Sequence, residues 1–150
     1  MSTRETRIAR VVRLRDERLK QAVRVLEEAR LWEARASSEL GEALLSRQEA
    51  ETARRDLNLV PTEVKDFILA EDWLRSRAIA EELAGHRARQ ARSTLEKAQL
   101  KVKEAHTKVR QLEQLQKRLA LDRRAKETRI ERTLEDEVGQ RVAQSQRGRR

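Results

Sequence analysis

Two long apolar stripes with heptad spacing, separated at the chain's single proline, constrain this 150-residue sequence more than any other feature. Alternating steps of four and three from Ile8 pick out Val12, Leu19, Ala22, Leu26, Ala29, Ala36, Leu40, Ala43, Ala50 and Leu57. Arg15, Glu33, Arg47 and Arg54 interrupt them. The same steps from Ala84 pass through Ala88, Ala91, Leu95, Ala98, Val102, Ala105 and Val109 to Leu112 with no polar interruption. Residues so spaced share one side of a helix and form the seam of a coiled coil. Alanine in a seam lets two helices approach closely with little side-chain volume.

The segment Asn58-Leu59-Val60-Pro61-Thr62-Glu63 divides the stripes. Pro61 disfavours helix at Val60 and pre-sets φ for the first turn of a new helix. Either Thr62 or Val60 serves as its N-cap, with Glu63 and Asp66 placed to meet the positive end of the helix dipole. The expected fold is all-α and a single domain: helix one over about 3–57, a loop at 58–62, a longer helix two over about 62–145, and a frayed basic tail at 146–150. Folded as an antiparallel coiled-coil hairpin, Leu57 comes to Thr62, and Ile8 comes between Val109 and Leu112. The paired stretch is then roughly 80 Å long at 1.5 Å per residue. From about Leu115 helix two outruns its partner, and Leu119, Ile130, Leu134, Val138 and Val142 continue alone. A lone helix with so thin a stripe is marginal in water and awaits another molecule.

Composition narrows the alternatives. Aromatic residues number three, Trp32, Phe67 and Trp73, too few for a layered globular core. Scarce Gly and Pro and abundant Ala, Leu, Glu, Arg, Lys and Gln favour helices over sheets. Without cysteine there is no disulfide framework and no thiolate metal site, as suits a reducing compartment. No apolar run approaches the roughly 20 residues of a membrane span, and none follows the N-terminus as in a signal peptide, so a protein that is neither inserted nor exported by the general route is expected. A two-helix rod offers no pocket in which to desolvate a carboxylate or align a nucleophile, so the chain is not expected to be an enzyme or to take a cofactor or small-molecule substrate. His86 and His106 stand apart from any ligand set, and Glu82 with His86 reads as a solvated surface pair. Gly41, Gly85, Gly139 and Gly148 are isolated, so no glycine-rich phosphate loop exists.

The net charge of +9 is unevenly spread. Residues 1–24 carry eight Lys/Arg against three Asp/Glu, residues 101–150 fifteen against eight, and residues 25–100 twelve against fifteen. The hairpin would gather the excess positive charge at the end bearing the termini. Pairs such as Asp16–Lys20, Glu51–Arg55, Glu71–Arg75, Glu104–Lys108, Glu113–Lys117 and Asp122–Lys126 are expected to support the helices at i,i+4. Arg4, Arg7, Arg10, Arg13, Arg15 and Arg18 make a basic N-terminal helix, but no parallel zipper, major-groove reading surface or interleaved aromatics accompany it, which argues against nucleic acid. The mostly alanine stripe would bury little in lipid. Trp32 and Trp73 read either as packing beside the seam or as exposed anchors. Phe67, Ile68, Leu69, Trp73 and Leu74 supply more apolar bulk than one facing helix end covers, and read as a docking surface.

Three stretches resemble one family. Ile8-Ala9-Arg10-Val11-Val12-Arg13-Leu14-Arg15-Asp16-Glu17-Arg18, running into Ala22, Leu26, Ala29 and Arg30, is similar to the N-terminal helix of the stalk proteins of type III secretion systems, relatives of the flagellar FliJ proteins. Phe67-Ile68-Leu69-Ala70-Glu71-Asp72-Trp73-Leu74 resembles the apolar start of their second helix, and Leu134-Glu135-Asp136-Glu137-Val138-Gly139-Gln140 their C-terminal segment in the injectisome members. The resemblance implies an antiparallel two-helix stalk at the cytoplasmic face of a membrane-embedded secretion apparatus. Its joined termini would enter the hole of a hexameric secretion ATPase, its loop end would face the cytoplasmic domain of the export gate, and the free protein would bind export chaperones. On this reading Arg10, Arg13, Ile130, Leu134, Val138, Gln140 and Arg141 meet the ATPase, and Phe67, Trp73, Leu74 and Arg77 the export gate. A basic coiled-coil adaptor that binds nucleic acid or scaffolds a complex is the alternative.

Overall fold

A computed structural model of the chain describes residues 3–149. They form two helices, α1 (Thr3–Leu57) and α2 (Val64–Arg147), with no strand among the described residues. The helices run antiparallel. Arg54 of α1 is ion-paired with Glu71 of α2, and Arg47, earlier in α1, lies 2.7 Å from Glu81, later in α2.

The heptad stripes are the seam. Each stripe residue of α1 from Ile8 to Leu57 is buried or half-buried except Arg54, and so is each one of α2 from Ala84 to Leu112. Alanines make up most of the fully buried set, which is Leu26, Ala29, Ala36, Ala50, Ala70, Ala84, Ala91, Ala98 and Val109. Stability therefore rests on close backbone approach spread over many turns, each buried methyl adding little.

Two compact units make up the chain. Leu19–Glu104 holds the reversal of direction and most of the buried side chains, including the cluster Leu26, Ala29 and Ala98 with Leu95 and Val102 against it. Met1–Arg18 with Ala105–Arg150 is the other unit, in which α1 contributes half-buried Ile8, Val12 and Arg15, and α2 contributes buried Val109 and half-buried Leu112, Leu119 and Ala120. Sorting the charges by unit sharpens their distribution. The unit with the termini carries nineteen Lys/Arg and ten Asp/Glu, hence the whole +9, whereas Leu19–Glu104 carries sixteen of each.

Four expectations need correction. Thr62 does not cap α2: its hydroxyl donates to the carbonyl oxygens of Leu57 (3.0 Å) and Val60 (2.7 Å), serving the end of α1, whose last carbonyls lack helical partners. Helix α2 starts at Val64, and the Asp66 N–H donates to the Glu63 carbonyl at 3.1 Å. The connection is thus residues 58–63, and the register differs from the one expected. Arg54 meets Glu71, and Glu5 in the first turns of α1 reaches Arg123 at 2.9 Å, well past Leu112. The unaccompanied part of α2 accordingly starts after Arg123 and not at Leu115: Leu119 and Ala120 are half-buried, and residues 124–149 are all exposed. The expected tail is helical as far as Arg147, and the Gly148 N–H still donates to Gln144; Arg150 lies outside the described residues. Finally, Glu51 and Glu71 pair with Arg47 and Arg54, not with Arg55 and Arg75.

Candidate functional site

Helix α2 beyond Arg123 carries the first candidate surface. Arg123 bonds to Glu5 of α1 through Nη1 and lies 3.8 Å from Glu127 of its own helix through Nε. Beyond it Ile130, Leu134, Val138 and Val142 are each more than half exposed. Each step of four residues turns the helix about 40° past a full circle, so the stripe winds slowly around α2. Arg141 falls about 20° from Leu134 and lies within the stripe; Gln140 falls about 120° away and does not.

Arg10 and Arg13 are exposed but not beside this stripe. Arg10 lies five residues from the Glu5–Arg123 tie in one direction and Ile130 seven in the other, so about 18 Å of axis separates them. The seven side chains expected to act together thus divide into a stripe of Ile130, Leu134, Val138 and Arg141, an off-stripe Gln140, and two separate arginines.

The loop-end candidates also divide. Phe67 and Leu74 are half-buried on either side of buried Ala70, one helical face turned to α1. Trp73 is 38% exposed and Arg77 exposed, with Ile68 and Leu69 also outward. Trp73, Arg77, Ile68 and Leu69 are therefore available to a partner, whereas Phe67 and Leu74 belong to the seam. A groove of about 350 Å³ runs here between Glu51, Arg54, Arg55, Asn58 and Leu74.

Two further features stand out: one that sequence reasoning left open between seam packing and an exposed anchor, and one that it passed over. Trp32 is 63% exposed, with a groove of about 420 Å³ on one side toward Arg35, Glu39, Arg87 and Gln90 and one of about 300 Å³ on the other toward Val25, Glu28 and Thr94. The other is the set of Arg–Glu ties across the helices. Arg47 Nη1 bonds to Glu81 at 2.7 Å, while its Nε lies 3.2 Å from Glu51 without the angle of a hydrogen bond. The Glu81 hydrogen bond, then the charges of Glu81 and Glu51, hold this guanidinium above its ordinary range, so it stays charged throughout. The signal was present in the sequence as the charged interruptions Arg47 and Arg54 of an otherwise apolar stripe.

No group of three or more His, Cys, Asp or Glu able to hold a metal occurs among the described residues, and no described helix is long and apolar enough to cross a membrane. No protein family, curated protein or solved structure matches this chain.

Proposed function

We propose that the chain is the central stalk of a type III protein secretion system, joining a hexameric secretion ATPase to an export gate and binding export chaperones. One observation carries the reading: α2 runs on past Arg123 as an exposed helix with an apolar stripe, in the unit that bears the whole net charge. A ring of subunits has a narrow axial hole lined by loops. A single helix with apolar residues for packing and arginines for acidic loops suits such a hole. Buried stripe residues would control affinity, and rim arginines chiefly the association rate and its salt dependence.

The same concentration of charge favours a second reading, a basic adaptor for nucleic acid. A pull-down from native cell extract separates the two. Recovery of a hexameric P-loop ATPase supports the stalk, and recovery of nuclease-sensitive material in its place supports the adaptor.

At the loop end, burial separates stability from binding. Phe67→Ala is expected to cost about 1–2 kcal/mol of hairpin stability, because a half-buried aromatic loses part of the full core penalty. Trp73→Ala should lower melting no more than Phe67→Ala does, and weaken binding of the still-folded protein to the export-gate domain by about 1–3 kcal/mol. Thermal melts and titration calorimetry of both variants check this. A larger melting loss for Trp73→Ala would assign Trp73 to the core as well.

A further inference from the structure

The exposed stripe of α2 is complementary to itself when two copies run antiparallel, and we infer that in the free protein residues 124–149 pair with the same segment of a second copy about a two-fold axis at Leu134. No described residue covers this face, since every residue from 124 to 149 is exposed. With Leu134 on the axis, each residue of one copy stands level with the residue equally far on the other side of Leu134 in its mate. Ile130 then faces Val138, twice, and Leu134 faces Leu134.

The charges within the face obey the same symmetry. At 100° per residue Glu127 and Arg141 lie about 20° to either side of Leu134, inside the contact, and antiparallel pairing sets each Glu127 level with an Arg141 of the other copy. Glu127 has only a 3.8 Å approach to Arg123 within its own chain and is 61% exposed, so it is open to a second arginine. The remaining carboxylates do not oppose the pairing: Glu131 and Glu137 are level with one another but about 60° to opposite sides of the seam, and Lys126 lies on the Glu137 side. Parallel in-register pairing would instead set Glu127 against Glu127 and Arg141 against Arg141, both repulsive. Because the stripe turns about 40° around the helix at each four-residue step, only the turns nearest Leu134 face the mate, so the contact is short. It falls below the roughly 1,200 Å² of a stable interface, which makes the pairing weak and leaves the face available to a tighter partner.

This inference does not rest on the stalk reading, and its test contains no ATPase. The full chain has no cysteine, so single cysteines report their own neighbours. Leu134→Cys is expected to form a disulfide-linked dimer under mild oxidation. Ile130→Cys and Val138→Cys should not do so singly, because each lies about 12 Å along the axis from its own copy, beyond disulfide reach, whereas the double variant Ile130→Cys/Val138→Cys should. Sedimentation at concentrations on the order of 100 μM should show reversible dimers. Glu127→Arg and Arg141→Glu should each weaken them tenfold or more, and the two together should restore them, with circular dichroism confirming helix in every variant. A chain that stays monomeric, equal cross-linking of all three single-cysteine variants, or a double charge swap that fails to restore dimers overturns the inference.

Discussion

Replacing Ala91 or Ala98 with glutamate is expected to unfold much of the hairpin at ambient temperature. Both methyls are almost wholly shielded, at 1% and 3% exposure, at positions where the helices approach closely. A carboxylate there has neither volume nor a cation: the Arg–Glu ties at Arg47 and Arg54 lie elsewhere along the seam and are already made. Burying an uncompensated charge costs about 3–5 kcal/mol, a large share of the roughly 5–15 kcal/mol by which folded domains are stable. The helical signal at 222 nm should fall and its melt move to low temperature. Ala34→Glu, on the exposed face of α1, is the control and should melt like the parent protein. Unchanged melting of both seam variants would mean that this stripe faces no helix.

Deleting the chain from Ile130 onward should have the opposite profile. Every described side chain removed is exposed, and the Glu5–Arg123 tie is kept, so the hairpin should melt as before. If the chain is a stalk, stimulation of the cognate ATPase should disappear, because the stripe of Ile130, Leu134 and Val138 with Arg141 is gone. Full stimulation by the truncated protein would move the ATPase contact off this segment. In the full chain, a Leu134→Cys variant that stimulates the ATPase but does not cross-link would leave the stalk reading standing and overturn the self-pairing inference, since the first concerns a second protein and the second concerns only this chain.

Much of this architecture is legible in the residues. Alanine and leucine at steps of three and four from Ile8 to Leu57 and from Ala84 to Leu112 announce two seamed helices, and Pro61 announces the break between them. The pairing of two such faces is the only way either can leave water. The unaccompanied end of α2 is legible as well, because α2 is the longer helix whatever the register.

Register itself is not legible, and neither are the site features that depend on it. A heptad stripe presents nearly the same alanines and leucines after a slide of one repeat, so local pattern assigns similar burial to several alignments. The alignment adopted is marked by a few unlike contacts between residues far apart in sequence: Arg54 with Glu71, Arg47 with Glu81 and Glu5 with Arg123. Those contacts draw Glu71 away from its near neighbour Arg75 and leave α2 unaccompanied only after Arg123. Likewise, the loop-end apolar residues look alike in sequence, and only the facing helix turns Phe67 and Leu74 inward and leaves Trp73 and Arg77 at the surface. The sequence by itself determined that two helices pair, through a periodicity each helix carries alone. The tertiary structure decided where they pair, because successive heptads present similar residues and the repeat alone leaves that choice open.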